Sequence, residues 1–220
     1  MMRNRQADFP FCVPERPLLE NFNSNAQIPY GVSVKDIFHS MLDFADFLET
    51  ANMALALKSM SRLEDMLMPA NFSSMVGEFI TSNLPKHCPE IAKNAYHNGH
   101  PDLLPAGKYP KNAAQHAGSD GIEVKASRYL KGWQGHNEED AWLMVFVFES
   151  GRPSDAAKGK KMACFRFLAV YGALLKKADW KFDGRGIASR RTITATVLPS
   201  GFEKMTANWI YKAPESEVKL

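Results

Sequence analysis

The run Trp142-Leu143-Met144-Val145-Phe146-Val147-Phe148, inside an apolar stretch from Ala141 to Glu149, most narrows what this chain can fold into. It is far too short for the ~18–20 residues of a membrane span. Its length and its aromatic content predict a central strand of a sheet rather than a helix. Strictly alternating Gly121-Ile122-Glu123-Val124-Lys125-Ala126 predicts a second strand, with Ile122 and Val124 on one face and Glu123 and Lys125 on the other. Residues 191–198, Arg-Thr-Ile-Thr-Ala-Thr-Val-Leu, read as a third strand, and residues 165–175 fit either a strand or a helix.

The first half reads differently. Residues 1–32 are rich in Pro, Asn and Phe without periodicity, so they are expected to form an irregular arm packed down through Phe9, Phe11, Leu18 and Leu19. From residue 33 the period becomes helical. Ser33 can cap, and Val34, Ile37, Phe38, Met41, Leu42 and Ala45 recur at spacings of three and four. A second helical stretch over 53–68 carries Leu55, Leu57, Met60, Leu63 and Leu67, with its methionines read as core filler. Pro69 should break the run, and Asn71 should cap a third helix that ends near Leu84-Pro85. Residues 101–104 read as a short extended segment before a polar loop over 105–120. Helices first and strands after predict one α+β domain over 1–220: a mixed β-sheet core at 95–200, flanked by helices and an N-terminal helical layer at 33–84.

Composition excludes several classes. With 45% hydrophobic and 23% charged residues in 220, the chain is neither disordered nor of low complexity. Residues 1–5 are basic, but residues 6–16 bring Asp, Glu and two Pro where a signal peptide needs an apolar stretch, so a cytoplasmic protein with no membrane partner is expected. Cys12, Cys88 and Cys164 are odd in number and scattered, which argues against a disulfide framework and a cysteine-rich zinc module. Cys88, His97 and His100 are spaced too widely for structural zinc and read as a buried thiol and loop histidines. GxGxxG, GxxxxGK[ST], GxSxG and HExxH motifs are absent. Cys164, in an apolar run, reads as buried and a poor nucleophile.

One spacing carries chemistry. His100-Pro101-Asp102 is followed by Glu123-Val124-Lys125, placing Asp102 and Glu123 21 residues apart on segments expected to be neighbouring strands. Two converging carboxylates form a hard-oxygen site suited to Mg²⁺, and Lys125 adds positive charge beside an attacking water and a phosphate. Phosphodiester hydrolysis needs this combination. The pattern resembles the PD-(D/E)xK nuclease superfamily and, within it, type II restriction endonucleases. Pro101-Asp102 matches the PD element and Glu123-Val124-Lys125 the ExK element, and the apolar strand after it fits that core, over about residues 75–175.

The resemblance implies a restriction-endonuclease-like fold, with Asp102, Glu123 and Lys125 catalytic and Asp102 and Glu123 holding Mg²⁺. In many enzymes of the family the helix before the PD strand adds an acid; Glu78 is the only acid in residues 71–84. The implied activity is sequence-specific cleavage of double-stranded DNA to 5′-phosphate and 3′-hydroxyl ends. A homodimer and a cognate DNA methyltransferase are the implied partners. A repair or recombination nuclease of the same superfamily, or a non-catalytic DNA-binding protein on its fold, are the rival readings; without any such chemistry, Glu123 and Lys125 would be a cross-strand surface pair and Asp102 the cap of a turn.

Further residues are candidates for contacting DNA. Gln134, His136 and Asn137, in a Gly-bracketed loop with Trp133, could read base edges, or the loop could be a turn with Trp133 packed on the sheet. Arg190 and Arg191, with Arg185 nearby, are candidate phosphate clamps. Lys158, Lys160 and Lys161 would add salt-sensitive affinity. Residues 1–100 carry 8 basic and 11 acidic side chains and residues 101–220 carry 19 and 13, an asymmetry that fits contact with a polyanion and equally fits an ordinary solvated surface. Arg190→Ala and Arg191→Ala are each expected to weaken DNA binding and to flatten the slope of log affinity against log salt by about one unit. Binding isotherms across a salt series check this.

Overall fold

The computed structural model describes residues 12–135, 138–151, 163–183 and 194–214. The chain is a mixed α+β protein. Its helices are α1 (Val34–Ala56), α2 (Leu63–Met66), α3 (Pro69–His87) and α4 (Pro199–Ala207). Its strands are β1 (Ile91–Lys93), β2 (Leu103–Pro105), β3 (Ile122–Ser127), β4 (Gln134–Gly135), β5 (Ala141–Glu149), β6 (Arg166–Leu175), β7 (Trp180–Asp183), β8 (Thr194–Val197) and β9 (Trp209–Lys212). Six strands form a mixed sheet in the order β1-β2-β3-β5-β6-β9, parallel only between β3 and β5. Strands β4, β8 and β7 form a smaller antiparallel sheet. Among the described residues no helix is long and apolar enough to cross a membrane.

Strand β5 is apolar from Ala141 to Phe148 because both of its faces are covered there. Trp142, Met144, Phe146 and Phe148 point into a core built with α1 and α3, beside Ile37, Phe44, Phe72 and Ile80. Leu143, Val145 and Val147 point into a second core with Trp133, Trp180, Val197 and Met205, under the small sheet and α4. The ambiguous segment at 165–175 is a strand, since β6 pairs with β5 along its length. The main sheet extends past the expected 95–200 core, with β1 and β9 at its edges.

Helix α1 starts as expected. Ser33 Oγ accepts from the Asp36 N–H (3.3 Å), and Asp36 Oδ2 accepts from the Ser33 N–H (2.8 Å). Its inward stripe runs through Ile37, Met41, Phe44 and Leu48. The second helical stretch does not form over 53–68. After Ala56 the Met60 N–H bonds back to Leu55 O (3.0 Å) across left-handed Ser59, which ends the helix. Only α2 follows, held by a buried polar group: the Leu63 N–H bonds Asn52 Oδ1 (2.8 Å), and Asn52 Nδ2 bonds Glu64 Oε2 (2.9 Å). The methionine stripe is therefore not core filler, and Met53, Met60, Met66 and Met68 lie exposed beside Leu57 at 84%.

Two further expectations are corrected by backbone chemistry. Pro69 begins α3 instead of breaking it, because a first helical residue needs no N–H partner. Pro85 lies inside the last turn, which continues to His87. The strand expected over 191–198 is described as Thr194–Val197, with residues 191–193 outside the described part.

The N-terminal arm is attached by other residues than expected. Leu18 and Leu19 are exposed, and Phe9 and Phe11 lie outside the described residues. The contacts are instead made by buried Phe22 and Val32, by the Glu15 N–H to Phe165 O (2.8 Å), and by the Asn23 N–H to Ile210 O (2.9 Å). Against the cysteine reading, Cys12 and Cys164 form a disulfide across 152 residues of sequence, fastening the arm beside the start of β6. Cys164 is half-buried, and Cys88 is the buried free thiol.

Gly121 controls how closely β2 meets β3. Its φ is +149°, and a side chain there would collide with the Leu103 carbonyl and the Pro101 ring. Gly118, also at positive φ, faces open space. Gly121→Ala is expected to cost about 2 kcal/mol, lowering the thermal unfolding midpoint by roughly 4–8 °C. Gly118→Ala should cost clearly less, and differential scanning fluorimetry of both variants checks the ordering.

Candidate active site

The site forms where β2 meets β3. Antiparallel pairing puts Leu103 opposite Ile122, which brings Asp102 level with Glu123. Asp102 continues the ladder with its side chain: Oδ2 accepts from the Val124 N–H at 2.8 Å. It does not cap a turn. Because Ile122 and Val124 turn into the helical core, Glu123 and Lys125 project together from the other face. The Lys125 ammonium pairs with Glu123 Oε1. Glu123 is only 4% exposed, so this is not a surface ion pair.

His100 stands on the far side of Glu123. Its Nδ1 lies 2.8 Å from Glu123 Oε2 and its Nε2 lies 2.9 Å from Glu139 Oε1. Both are charge contacts without the alignment of a hydrogen bond, leaving Glu123 Oε2 buried with no aligned donor. The other Glu139 oxygen lies 3.2 Å from His116 Nε2. Asp102, Glu123, Lys125, His100 and His116 line one cavity of about 1250 Å³, walled by Ser74, Gly77, Glu78 and Thr81 of α3.

Negative charge exceeds what the cations offset. Burial and the neighbouring Glu123 charge push Asp102 up to about 7, with Lys125 and the Val124 N–H pulling the other way. Burial would also raise Glu123, but His100 and Lys125 more than compensate and hold it low. Burial would lower Lys125, yet the charges of Glu123 and Asp102 keep it raised and cationic. His100 is likewise raised against its burial by Glu123, Glu139 and Asp102.

These features fit a hard divalent cation. Among the described residues no cluster of three or more His, Cys, Asp or Glu side chains forms a ready-made ligand set. Mg²⁺ does not require one, since it binds through one or two carboxylates and fills its shell with water and phosphate oxygen. Asp102 and Glu123 supply the two carboxylates, and unaligned Glu123 Oε2 is an open acceptor. A cation there would relieve the charge that makes Asp102 hold its proton.

The structure thus brings Asp102, Glu123 and Lys125 together. Glu78 lies on the wall of the same cavity but is 68% exposed at its side chain and pairs with Lys93 Nζ at 3.0 Å. Gln134 is exposed in β4, opposite Thr196, and does not line the cavity. Trp133 packs in the second core against Tyr171 and Phe202, so for this residue the packing alternative holds. His136, Asn137, Lys158, Lys160, Lys161, Arg185, Arg190 and Arg191 lie outside the described residues. The residues that sequence reasoning missed are His116, Glu139 and the part played by His100. Their one signal was the acidic run Glu138-Glu139-Asp140 just ahead of the apolar strand. No family model, curated protein or solved structure matches this chain.

The raised Asp102 pKa gives a signed test on metal-free protein. Asp102 keeps its proton in the fold up to about pH 7 but loses it near 3.8 when unfolded. The folded state therefore binds the extra proton between these limits, and stability falls as pH climbs through them and stays lower above. Asp102→Asn keeps an acceptor for Val124 without the charge. With chelator present, its melting temperature should gain on that of wild type by several degrees between pH 5 and pH 8. Parallel melting curves at both pH values would contradict the assignment.

Proposed function

We propose that this chain is a Mg²⁺-dependent endonuclease of the PD-(D/E)xK type, on a restriction-endonuclease-like fold, that cleaves double-stranded DNA at a short specific sequence. The observation that carries the reading is the buried convergence of Asp102, Glu123 and Lys125 at one end of an open cavity. Their order along the chain and their alternation on β3 match the PD and ExK elements, and apolar β5 lies directly beside β3.

In this reading Asp102 and Glu123 hold the cation. When bound, Mg²⁺ supplies Lewis acidity toward a phosphoryl oxygen and lowers the pKa of a coordinated water. Lys125 keeps a positive charge beside the scissile phosphate, where negative charge grows in the pentavalent transition state. Asp102, tied to Val124, and Glu123, tied to Lys125, enter this state with little reorganisation. The reaction leaves a 5′-phosphate and a 3′-hydroxyl. Cutting both strands of a palindrome calls for a homodimer, and the companion of such an enzyme in the cell is a methyltransferase for the same site.

Asp102→Ala and Glu123→Ala are expected to abolish cleavage of phage DNA in Mg²⁺ while keeping specific binding in Ca²⁺. Lys125→Ala should lose a factor of about 10²–10³ in rate. Discrete fragments from the wild type support restriction, and a smear or structure-dependent cutting supports a repair nuclease. Binding without cutting supports the non-catalytic reading. Near wild-type cutting by Asp102→Ala or Glu123→Ala would falsify the site.

A further inference from the structure

Behind the two carboxylates stands a second tier of charged groups that the ExK reading does not use. His100 is fixed through its backbone, with its N–H on Gln115 O (3.1 Å) and its carbonyl accepting from the Ala117 N–H (2.8 Å). Its ring lies between two carboxylates, Nδ1 2.8 Å from Glu123 and Nε2 2.9 Å from Glu139. His116 stacks on it, with ring centroids 5.7 Å apart and planes 20° apart, and meets the second Glu139 oxygen at 3.2 Å.

Glu139 is held from the opposite direction. Its carbonyl accepts from Trp180 Nε1 at 2.9 Å, and Trp180 is buried in β7. The next residue, Asp140, accepts from Lys177 N–H and Lys176 Nζ, each at 2.9 Å. The backbone of Glu139 is thus anchored to the smaller sheet, while its side chain reaches the rings of His100 and His116, which face each other across an isolated bridge outside the strands. A rigid ring with a carboxylate at each nitrogen cannot drift toward one without leaving the other. Carboxylates that ligate metals are themselves commonly oriented by such outer partners, and removing one typically costs 10–100-fold in metal affinity.

We infer that Glu139 and His100 are positioning residues: Glu139 fixes the His100 imidazole, and His100 fixes Glu123 Oε2 for the cation. This rests on the metal-centre reading above. The measurement is Mn²⁺ binding to the full chain without DNA, by the electron paramagnetic resonance of free Mn²⁺, alongside kcat and KM for DNA. Glu139→Ala is expected to bind Mn²⁺ about tenfold or more weakly and to lose kcat with KM near wild type. Glu139→Gln keeps an oxygen of the same reach and should recover to within about threefold.

His100→Asn cuts the link at the ring and serves equally if Glu139→Ala does not unfold cooperatively. It should weaken Mn²⁺ binding by a similar factor, and adding Glu139→Ala to it should cause no further loss, because both act along one chain. Wild-type Mn²⁺ affinity in both single variants, with Asp102→Ala still losing it, overturns the positioning role and leaves the metal centre standing. Additive losses in the double variant also overturn it. A wild-type chain that binds no Mn²⁺ overturns both.

Discussion

Burial of β5 on both faces is the constraint to which the other layers are fitted. Phe146 and Phe148 are fully buried, and removing a ring of this kind commonly costs about 3–5 kcal/mol. Toward the helices its aromatic side chains meet Phe72, Phe165 and Phe167, which fixes where α3 lies over the sheet. Toward the other side, Leu143, Val145 and Val147 require the smaller sheet and α4 as a cover. β3 runs parallel to β5, so the same packing that buries β5 sets the position of Glu123 and Lys125.

The candidate site lies at the margin of this apolar frame. Gly121 permits the close approach of β2, and the Asp102 carboxylate then takes the Val124 N–H. Two carboxylates are held beside one lysine and one imidazole in a partly dry setting, so that Asp102 retains a proton to about pH 7. Such a centre is costly without a ligand and well matched to a cation that shares the charge.

Much of this was legible from residue order. Alternation at 121–126 placed Glu123 and Lys125 on one face, the Ser33 cap started α1, and the run at 141–149 gave the central strand. The methionines of 53–68 were misleading because helical spacing does not reveal whether a partner layer is present. Here Ser59 turns the chain and Asn52 with Glu64 takes the interior, leaving the stripe in solvent. Leu18 and Leu19 misled for the same reason. The disulfide was hidden because its cysteines are 152 residues apart and meet only when the arm lies beside β6.

The sequence by itself determined the Ser33 cap, the alternation of β3 and the apolar strand, because these depend on neighbours within a few positions, and it nominated Asp102, Glu123 and Lys125 through the spacing of two short motifs. Only the tertiary structure decided that Asp102 bonds Val124, that Glu123 is buried, and that His100, His116 and Glu139 gather behind it. Those contacts join segments from different strands and loops. Their geometry comes from how β2, β3 and the approach to β5 are stacked, which no local pattern encodes.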